Sequence, residues 1–209
     1  MLLAATPLDP ARIDRPHKIE AAHPNFPTYT GYFPDGRSLK IAFPHIIPRG
    51  RPLLRGVRFF DERQVADEDV IYSLALSERC EIDIVYGQRG EDLSSNGTPI
   101  IPTTWIVAAF VDCLNWIEQL RRQIGAGGLE FSLSVSIVSG RDVHFGEFRD
   151  QYPKSLGRLP NKITAFPGYG VRDTAEFSDL TSLFTEDLLN LVGVDLNRFP
   201  RINVNAFSS

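Results

Sequence analysis

The sequence has few of the residues that build covalent or metal-based scaffolds. Among 209 residues there are two cysteines, Cys80 and Cys113, and four histidines. Two cysteines form at most one bridge, which excludes the disulfide framework of a small secreted domain. No CxxC, HExxH or HxH spacing occurs, so a zinc site is not predicted. We expect both cysteines to be small buried hydrophobic residues, Cys80 on a strand and Cys113 on a helix.

Targeting and membrane-spanning patterns are also missing. The segment from Met1 to Pro7 has no basic region and only a short apolar run, unlike a signal peptide. The longest apolar stretch, Trp105 to Val111, is shorter than the ~20 residues that a membrane-spanning helix requires, and Asp112 follows it. We therefore expect a cytoplasmic protein that does not cross a membrane.

Motifs for nucleotide binding and for nucleophilic catalysis are absent. The chain contains no Walker A loop, no GxGxxG after a strand and no GxSxG elbow. His144 lies beside Asp142 and Glu147 and could act as a general base, but no nucleophile motif accompanies it. The net charge of −4, from 22 basic and 26 acidic residues, excludes a chain dominated by non-specific phosphate binding. An enzyme is therefore less expected than a binding protein.

What is present is typical of a folded protein with a proline-rich beginning. The composition is 43% hydrophobic and 23% charged, which excludes wholesale disorder. Nine of the 15 prolines fall between Pro7 and Pro52, where regular helix is therefore not expected. We predict an extended proline-rich arm over residues 1–25 and a single domain over residues 26–209. Within that domain, Pro34-Asp35-Gly36 between two β-rich runs predicts a hairpin over residues 28–43.

The middle of the chain is rich in strand patterns. Residues 56–60 and Val70 to Leu76 favour strands, although the second run could also be a helix that begins after Asp67. From Cys80 to Tyr86, apolar residues recur at every second position, as on a half-buried strand. Glycine, serine and asparagine predict a loop from Gly87 to Pro99.

The second half predicts two helices around one strand. A helix over about 103–124, capped by Thr103 or Thr104, has apolar residues at a period of 3.6 and a polar stripe that includes Asp112. A strand over 129–137 has an apolar face and a serine-rich face. Residues 139–173 are irregular or hold short strands, and a second helix covers about 178–192.

The predicted fold class is α+β. A mixed or antiparallel sheet packs against the central hydrophobic helix at about 103–124 and the C-terminal helix at about 178–192, beside the proline-rich arm.

One candidate site is a pair of carboxylates. Glu81 and Asp83 are two residues apart on a predicted strand, so both point to one face and could hold Mg²⁺, with Asp92 as a third ligand. The run Glu81-Ile-Asp-Ile-Val85 resembles the acidic strand of restriction-endonuclease-like nucleases. The Glu/Gln-x-Lys strand that this fold requires does not follow. Two acids on the solvent face of an edge strand are the alternative.

A second candidate is an arginine-rich segment between positions 49 and 58. Guanidinium groups bind phosphates and acidic protein surfaces, and the neighbouring Phe59 and Phe60 could stack on bases. Five acidic residues follow between positions 61 and 69 and offset the local charge. The arginines are Arg49, Arg51, Arg55 and Arg58.

A third candidate is the segment 141–170, which combines aromatic and basic residues. Such mixtures are typical of partner-binding surfaces, where Arg149, Tyr152 and Arg158 would act as anchors. The alternative is that the aromatic residues fold inward as a satellite core.

A family resemblance covers residues 101–144. Pro102-Thr103 leads into a hydrophobic helix that ends Trp116-Ile-Glu-Gln-Leu-Arg-Arg-Gln-Ile-Gly125, and a strand follows from Leu129 to Ile137. With its closing Val138-Ser-Gly140-Arg-Asp-Val-His144, this stretch resembles the region C-terminal to the Schlafen/AlbA-type module of prokaryotic DNA-binding or ATP-binding proteins. The module itself is not evident. The resemblance implies an accessory, non-catalytic domain and transfers no catalytic residues.

Three hypotheses about function follow. The first is a non-enzymatic interaction or accessory domain that needs no cofactor and binds a macromolecular partner through the segment 141–170, the arginine-rich segment 49–58, or both. A protein is the expected partner, and a nucleic acid could bind Arg49 to Arg58. The second is a metal-dependent phosphodiesterase or nuclease that uses Glu81 and Asp83. The third is a sensor of a small, nucleotide-like ligand bound between the serine-rich strand face and the helices.

Overall fold

The computed structural model describes residues 1–14, 16, 29–32, 38–41, 50–60, 70–88, 94–95, 98–149, 152–195 and 201–202. They contain two α-helices, which we name α1 (Thr103–Ile124) and α2 (Phe177–Asn190), and a 3-10 helix at Thr174–Glu176. The strands are β1 (Leu2–Pro7), β2 (Tyr29–Tyr32), β3 (Ser38–Ile41), β4 (Gly50–Leu53), β5 (Gly56–Phe60), β6 (Val70–Ser77), β7 (Ile82–Gln88), β8 (Ser94–Ser95), β9 (Thr98–Pro102), β10 (Phe131–Val138), β11 (His144–Arg149), β12 (Tyr152–Arg158), β13 (Ile163–Ala165), β14 (Tyr169–Val171) and β15 (Arg201–Ile202).

The strands form three sheets. The largest has the order β13-β10-β1-β7-β6-β5-β4, with β14 also paired to β10, and all its pairs are antiparallel. The second has the order β12-β11-β9-β8, in which β9 and β11 are parallel. The third has the order β15-β2-β3. The protein therefore has an α+β fold, as the sequence predicts. No described helix is long and apolar enough to cross a membrane.

The core lies between one face of the large sheet and α1. Along β10, Phe131, Leu133 and Val135 are buried while Ser132 and Ser134 are exposed, so the alternation in sequence sets which face turns inward. Fifteen of the 22 residues of α1 are buried, because the helix contacts β1 and β7 of the large sheet, β9 and β11 of the second sheet, and α2. Because most of these buried residues are apolar, their removal from water stabilises α1 at the centre of the molecule.

The predicted arm is wrong for its first residues. Leu2–Pro7 forms β1, which pairs with β7 on one side and β10 on the other. Leu3 and Ala5 are fully buried in the core, and the prolines on which the prediction of an arm depended begin only at Pro7. Residues 17–25 of the predicted arm lie outside the described residues.

Several predicted elements are confirmed. Strands occur at 56–60 and from Val70 onward, and the predicted hairpin is present as the antiparallel pair β2–β3, whose connection at 33–37 lies outside the described residues. The central helix ends at Gly125, which adopts φ +67°, the left-handed conformation that glycine accepts readily. The second helix covers Phe177–Asn190, with Gly193 at φ +68° after it.

Other predictions need correction. The expected loop from Gly87 to Pro99 contains the end of β7, the short β8 and the start of β9, because β9 pairs with β11, more than 40 residues away. Residues 139–173 hold the four strands β11 to β14, the alternative that the sequence left open. The strands β11, β13 and β14 pair with the distant strands β9 and β10, which local periodicity does not reveal, and β12 pairs with its neighbour β11.

Single residues also differ from prediction. Cys80 lies in the turn between β6 and β7 at φ +63° rather than on a strand, although both cysteines are buried and free. Neither threonine caps α1: the cap residue is Pro102, and the Thr103 hydroxyl donates to the carbonyl of Gly146 instead. Asp112, predicted on a polar stripe, is 1% exposed, because the first half of α1 is buried on every side.

Candidate functional site

Three aromatic residues of segment 141–170 belong to the core rather than to a surface. Phe145 and Tyr169 are buried, and Phe166 packs against the core. The Tyr169 hydroxyl donates to Asp187 Oδ2 at 2.7 Å, which raises the pKa of Tyr169 together with burial of the phenol, the larger cause. The alternative that the sequence left open, an inward-facing aromatic cluster, is therefore correct for these three residues.

The predicted anchors of that segment lie on the β11–β12 hairpin. Arg149 and Tyr152 are opposite each other at its end, and their side chains are outside the described part of the structure. Arg158 is exposed, and its guanidinium donates to Asp142 Oδ1 at 2.7 Å. The structure thus places the three residues on one hairpin and gives one of them an ion pair.

His144 has a different partner from the one that the sequence suggested. Its Nδ1 lies 2.7 Å from Ser155 Oγ across the β11–β12 pair, while Asp142 is occupied by Arg158 and Glu147 is buried. A serine hydroxyl next to an imidazole is one half of a nucleophile-base arrangement. The His144 and Ser155 side chains lie on the outward side of the β11–β12 pair.

The two carboxylates of the acidic candidate come close together but lie beside an arginine. Glu81 precedes β7 and accepts a hydrogen bond from Ser77 Oγ at 2.9 Å, while Asp83 is exposed on β7. Partial burial and then the charge of Glu81 raise the pKa of Asp83, and Arg58 opposes that shift. Among the described residues no group of three or more metal-ligating side chains occurs, and Asp92 lies outside them.

The serine-rich face and the helices do not enclose a site. Ser132 and Ser134 of β10 are exposed, whereas the residues that alternate with them are buried against α1. The serines therefore lie on the side of the sheet away from this helix. The pocket expected between them, for a nucleotide-like ligand, is not formed by the described residues.

The arginine-rich segment forms the hairpin β4–β5, which we call the arginine hairpin (residues 50–60). Within the described residues, β4 is the last strand of the large sheet. Pro52 has no N–H and lies opposite Val57, so this edge is poorly suited to pairing with a further strand. Binding at this hairpin would therefore use side chains rather than strand addition.

The turn of the arginine hairpin presents apolar and basic side chains together. Leu54 is 100% exposed and Leu53 is 43% exposed. Arg55 beside them lies 3.9 Å from Glu78, and Arg58 is exposed on β5. Arg51 is opposite Arg58, its side chain not described, and Arg49 falls outside the described residues.

A cleft of about 790 Å³ adjoins this turn. One wall is the segment 6–12, which leaves the sheet after Pro7 and returns where the Ile13 N–H donates to the Glu78 carbonyl at 2.8 Å. The other wall is the β6–β7 turn, held to the hairpin by the Glu78 N–H, which donates to the Arg55 carbonyl at 2.8 Å. The charged side chains that line the cleft are Asp9, Arg12, Arg55, Glu78, Arg79 and Glu81.

Two of these arginines, Arg12 and Arg79, were not singled out from the sequence. They come from a segment and a turn that are far from the arginine-rich stretch in the chain, and only the packing of β1 against β7 brings them to one cleft. No local pattern marks them.

Comparisons with protein-family models, with curated proteins and with solved structures found no match, so the Schlafen/AlbA-type resemblance stays a prediction.

Proposed function

We propose that this protein is a non-enzymatic interaction domain that binds a protein partner through the arginine hairpin and the cleft beside it. The observation that carries the proposal is the turn of the hairpin, where a fully exposed Leu54 lies next to Arg55 on the rim of the cleft. Single exposed leucines are common on protein surfaces. Two consecutive ones beside arginines, with Leu8 59% exposed in the opposite wall, make a surface suited to partner binding.

Charge favours a protein over a nucleic acid as the partner. The cleft is lined by three arginines and three carboxylates, and Asp83 lies near Arg58. The carboxylates would repel a phosphate backbone, which binds best to surfaces of uniform positive charge. A protein surface of mixed charge and exposed apolar groups fits the same residues without that penalty.

The β11–β12 hairpin supports the proposal less well than the arginine hairpin. Phe145 and Tyr169, which made that segment attractive as a binding surface, are in the core. Arg158 already has an ion pair with Asp142, which a partner would have to replace. This hairpin is therefore the second choice of surface.

A metal-dependent phosphodiesterase is the alternative function, and one observation favours it. The pKa of Asp83 is raised by partial burial and also by the charge of Glu81, so the two carboxylates act on each other electrostatically. Arg58 lies close to Asp83 and would compete with that cation. Incubation with labelled DNA, RNA and cyclic nucleotides, with and without Mg²⁺ or Mn²⁺, tests this alternative directly. Cleavage that requires metal and is lost in Glu81→Ala/Asp83→Ala would replace the interaction proposal.

The test of the interaction proposal is affinity capture from native extract, followed by titration of the captured protein. We expect Leu54→Ser with Arg55→Ala to weaken binding at least about fivefold, since truncated interface anchors commonly cost more than ~1 kcal/mol. Arg122→Ala is the matched control, because Arg122 is an exposed arginine on α1, away from the cleft lining. Equal affinities of wild type, control and hairpin variant would refute the proposal.

A further inference from the structure

We propose that the cleft binds an extended acidic peptide segment whose carboxylates pair with Arg12 and Arg79. The inference rests on the proposed function, because the segment would belong to the protein partner. It goes beyond that function in naming the chemistry of the partner and in assigning binding roles to two residues outside the arginine-rich segment.

The cleft is built before any ligand arrives. Backbone hydrogen bonds from the Ile13 and Glu78 N–H groups join the segment 6–12, the β6–β7 turn and the arginine hairpin. The Ser77 hydroxyl also accepts from the N–H groups of Arg79 and Glu81, which fixes the turn. The volume of the cleft, about 790 Å³, lies within the ~300–1,000 Å³ of typical ligand pockets and is enough for a few extended residues.

The arginines of the cleft differ in whether their guanidinium groups already have an ion-pair partner. Arg55 has an ion pair with Glu78, and Glu81 accepts from Ser77. Among the described residues, Arg12 and Arg79 have no ion-pair partner, and both are exposed. Their guanidinium groups are therefore available for carboxylates, which they bind in a bidentate manner.

The remaining charged and apolar groups of the cleft further restrict the class of ligand that can bind. Asp9 in the wall disfavours a ligand of continuous negative charge, such as a phosphate backbone. Leu8 on one wall and Leu54 beside Arg55 offer apolar contacts on the two sides. A segment that alternates acidic and apolar residues satisfies both sets of groups.

Fluorescence anisotropy with the full chain tests this inference. The probe is a labelled peptide Leu-Glu-Leu-Glu-Leu, compared with Leu-Lys-Leu-Lys-Leu and with a labelled single-stranded RNA hexamer. We expect saturable binding of the acidic peptide, weaker at high salt because exposed charge pairs are screened. Arg12→Gln and Arg79→Gln should each weaken it at least about fivefold, the loss expected of an anchoring charge.

Arg122→Gln and Arg141→Gln are the matched controls, since both arginines are exposed and neither lines the cleft. Unchanged thermal midpoints in all four variants separate lost binding from lost folding. The inference is overturned if the acidic peptide does not bind, if the cleft and control variants bind it equally, or if the RNA or the lysine peptide binds more tightly. The native partner would in those cases still respond to Leu54→Ser with Arg55→Ala, and the proposed function would stand alone.

Discussion

Phe110 of α1 is the residue on which the junction of the two helices with the large sheet depends. Its ring stacks on Phe184 of α2 with centroids 4.3 Å apart and meets the edge of Tyr169 of β14 at 5.3 Å. Because the side chain is fully buried, Phe110→Ala should cost about 3–5 kcal/mol of unfolding free energy in urea denaturation, and Leu133→Ala about 2–5 kcal/mol. Leu183→Ala is the control, since Leu183 is 48% exposed, and should cost less than about 1 kcal/mol. A loss under ~0.5 kcal/mol for Phe110→Ala would contradict this packing.

Arg121 is a buried cation that stabilises the end of α1 by hydrogen bonds to backbone carbonyls. Its guanidinium donates to the carbonyls of Leu129, Val171 and Arg172, and so joins the end of α1 to β10 and β14. Burial lowers the pKa of Arg121, although Glu118 and other acids oppose this, and the carbonyl bonds compensate the buried charge.

Arg121→Met should therefore lower the unfolding free energy by about 3 kcal/mol, because it leaves buried carbonyls without donors. Arg121→Lys should recover only part, since an ammonium lacks the planar fork. Arg122→Met, which removes a neighbouring exposed arginine paired with Glu118, should cost less than about 0.5 kcal/mol. Equal stability of both methionine variants in urea denaturation would show that the hydrogen bonds of Arg121 to these carbonyls do not stabilise the fold.

Asp83 gives the stability a pH dependence of known sign. Its pKa is raised in the folded protein, so the folded state binds the proton more tightly than the unfolded chain. Ionisation of Asp83 therefore costs stability as the pH rises from the usual value of 3.8 through the raised one.

Asp83→Asn should consequently increase the unfolding free energy at pH 7, by no more than about 0.5 kcal/mol because the residue is exposed. The gain should disappear below the usual carboxyl pKa, where the wild-type side chain is also neutral. Urea denaturation of both proteins across this pH range measures the difference. Asp142→Asn is the control and should bring no gain, since it removes an ion pair with Arg158. A gain that persists in acid would contradict the assignment to Asp83.

Among the elements, β11 lies so close to the Ile100 side chain of β9 and to the backbone of β12 that there is no room for a side chain at Gly146. A Cβ there would lie 2.3 Å from Ile100 Cγ2 and 2.9 Å from the Lys154 carbonyl oxygen. Gly146→Ala should therefore cost about 1–3 kcal/mol through overpacking, measured by urea denaturation. Gly170→Ala on β14 is the control, because its Cβ would meet nothing within 4 Å, and should change stability by less than about 0.5 kcal/mol. Equal effects of the two substitutions would mean that Ile100 and Lys154 lie farther from Gly146 than in this structure.

The elements with a periodicity of their own could be predicted from the sequence. β10 buries one side of its alternating pattern, and α1 buries its predicted apolar face together with the other sides of its first half. Their bounds follow from apolar spacing and from Gly125. The strands β9, β11, β13 and β14 pair with strands far along the chain, whereas β12 pairs with its neighbour β11. No alternation of their own marks these strands, so their sequences resemble loops. The central position of β1 was missed for the same reason, since only its pairing with β7 and β10 identifies it.

The candidate site was predictable in part. Arg55, Arg58, Glu81 and Asp83 stand out by composition, and the structure places them at or near the same end of the large sheet. Their grouping with Arg12 and Arg79 depends on chain reversals at Ile13 and at the β6–β7 turn. Sequence spacing carries no information about such reversals. The aromatic residues of segment 141–170 misled for the opposite reason, since composition does not distinguish a core from a surface.

At the scale of the molecule, the two candidate surfaces belong to different sheets. The arginine hairpin ends the large sheet, whereas the β11–β12 hairpin ends the second sheet, and α1 and the core lie between the sheets. Substitutions on exposed residues of one hairpin should therefore not change the other, because effects at distant sites add independently.

This separation allows the choice of surface to be tested in one series. Arg149→Ala, Tyr152→Ala and Arg158→Ala combined should leave affinity for the native partner within about twofold, because Phe145 and Tyr169 are in the core and Arg158 is paired with Asp142. The thermal midpoint is measured beside the affinity, so that a change in binding is separated from a change in folding. A loss of binding in this variant, with Leu54→Ser/Arg55→Ala unaffected, would move the partner surface to the β11–β12 hairpin. Loss in both variants would require a partner that spans the two sheets.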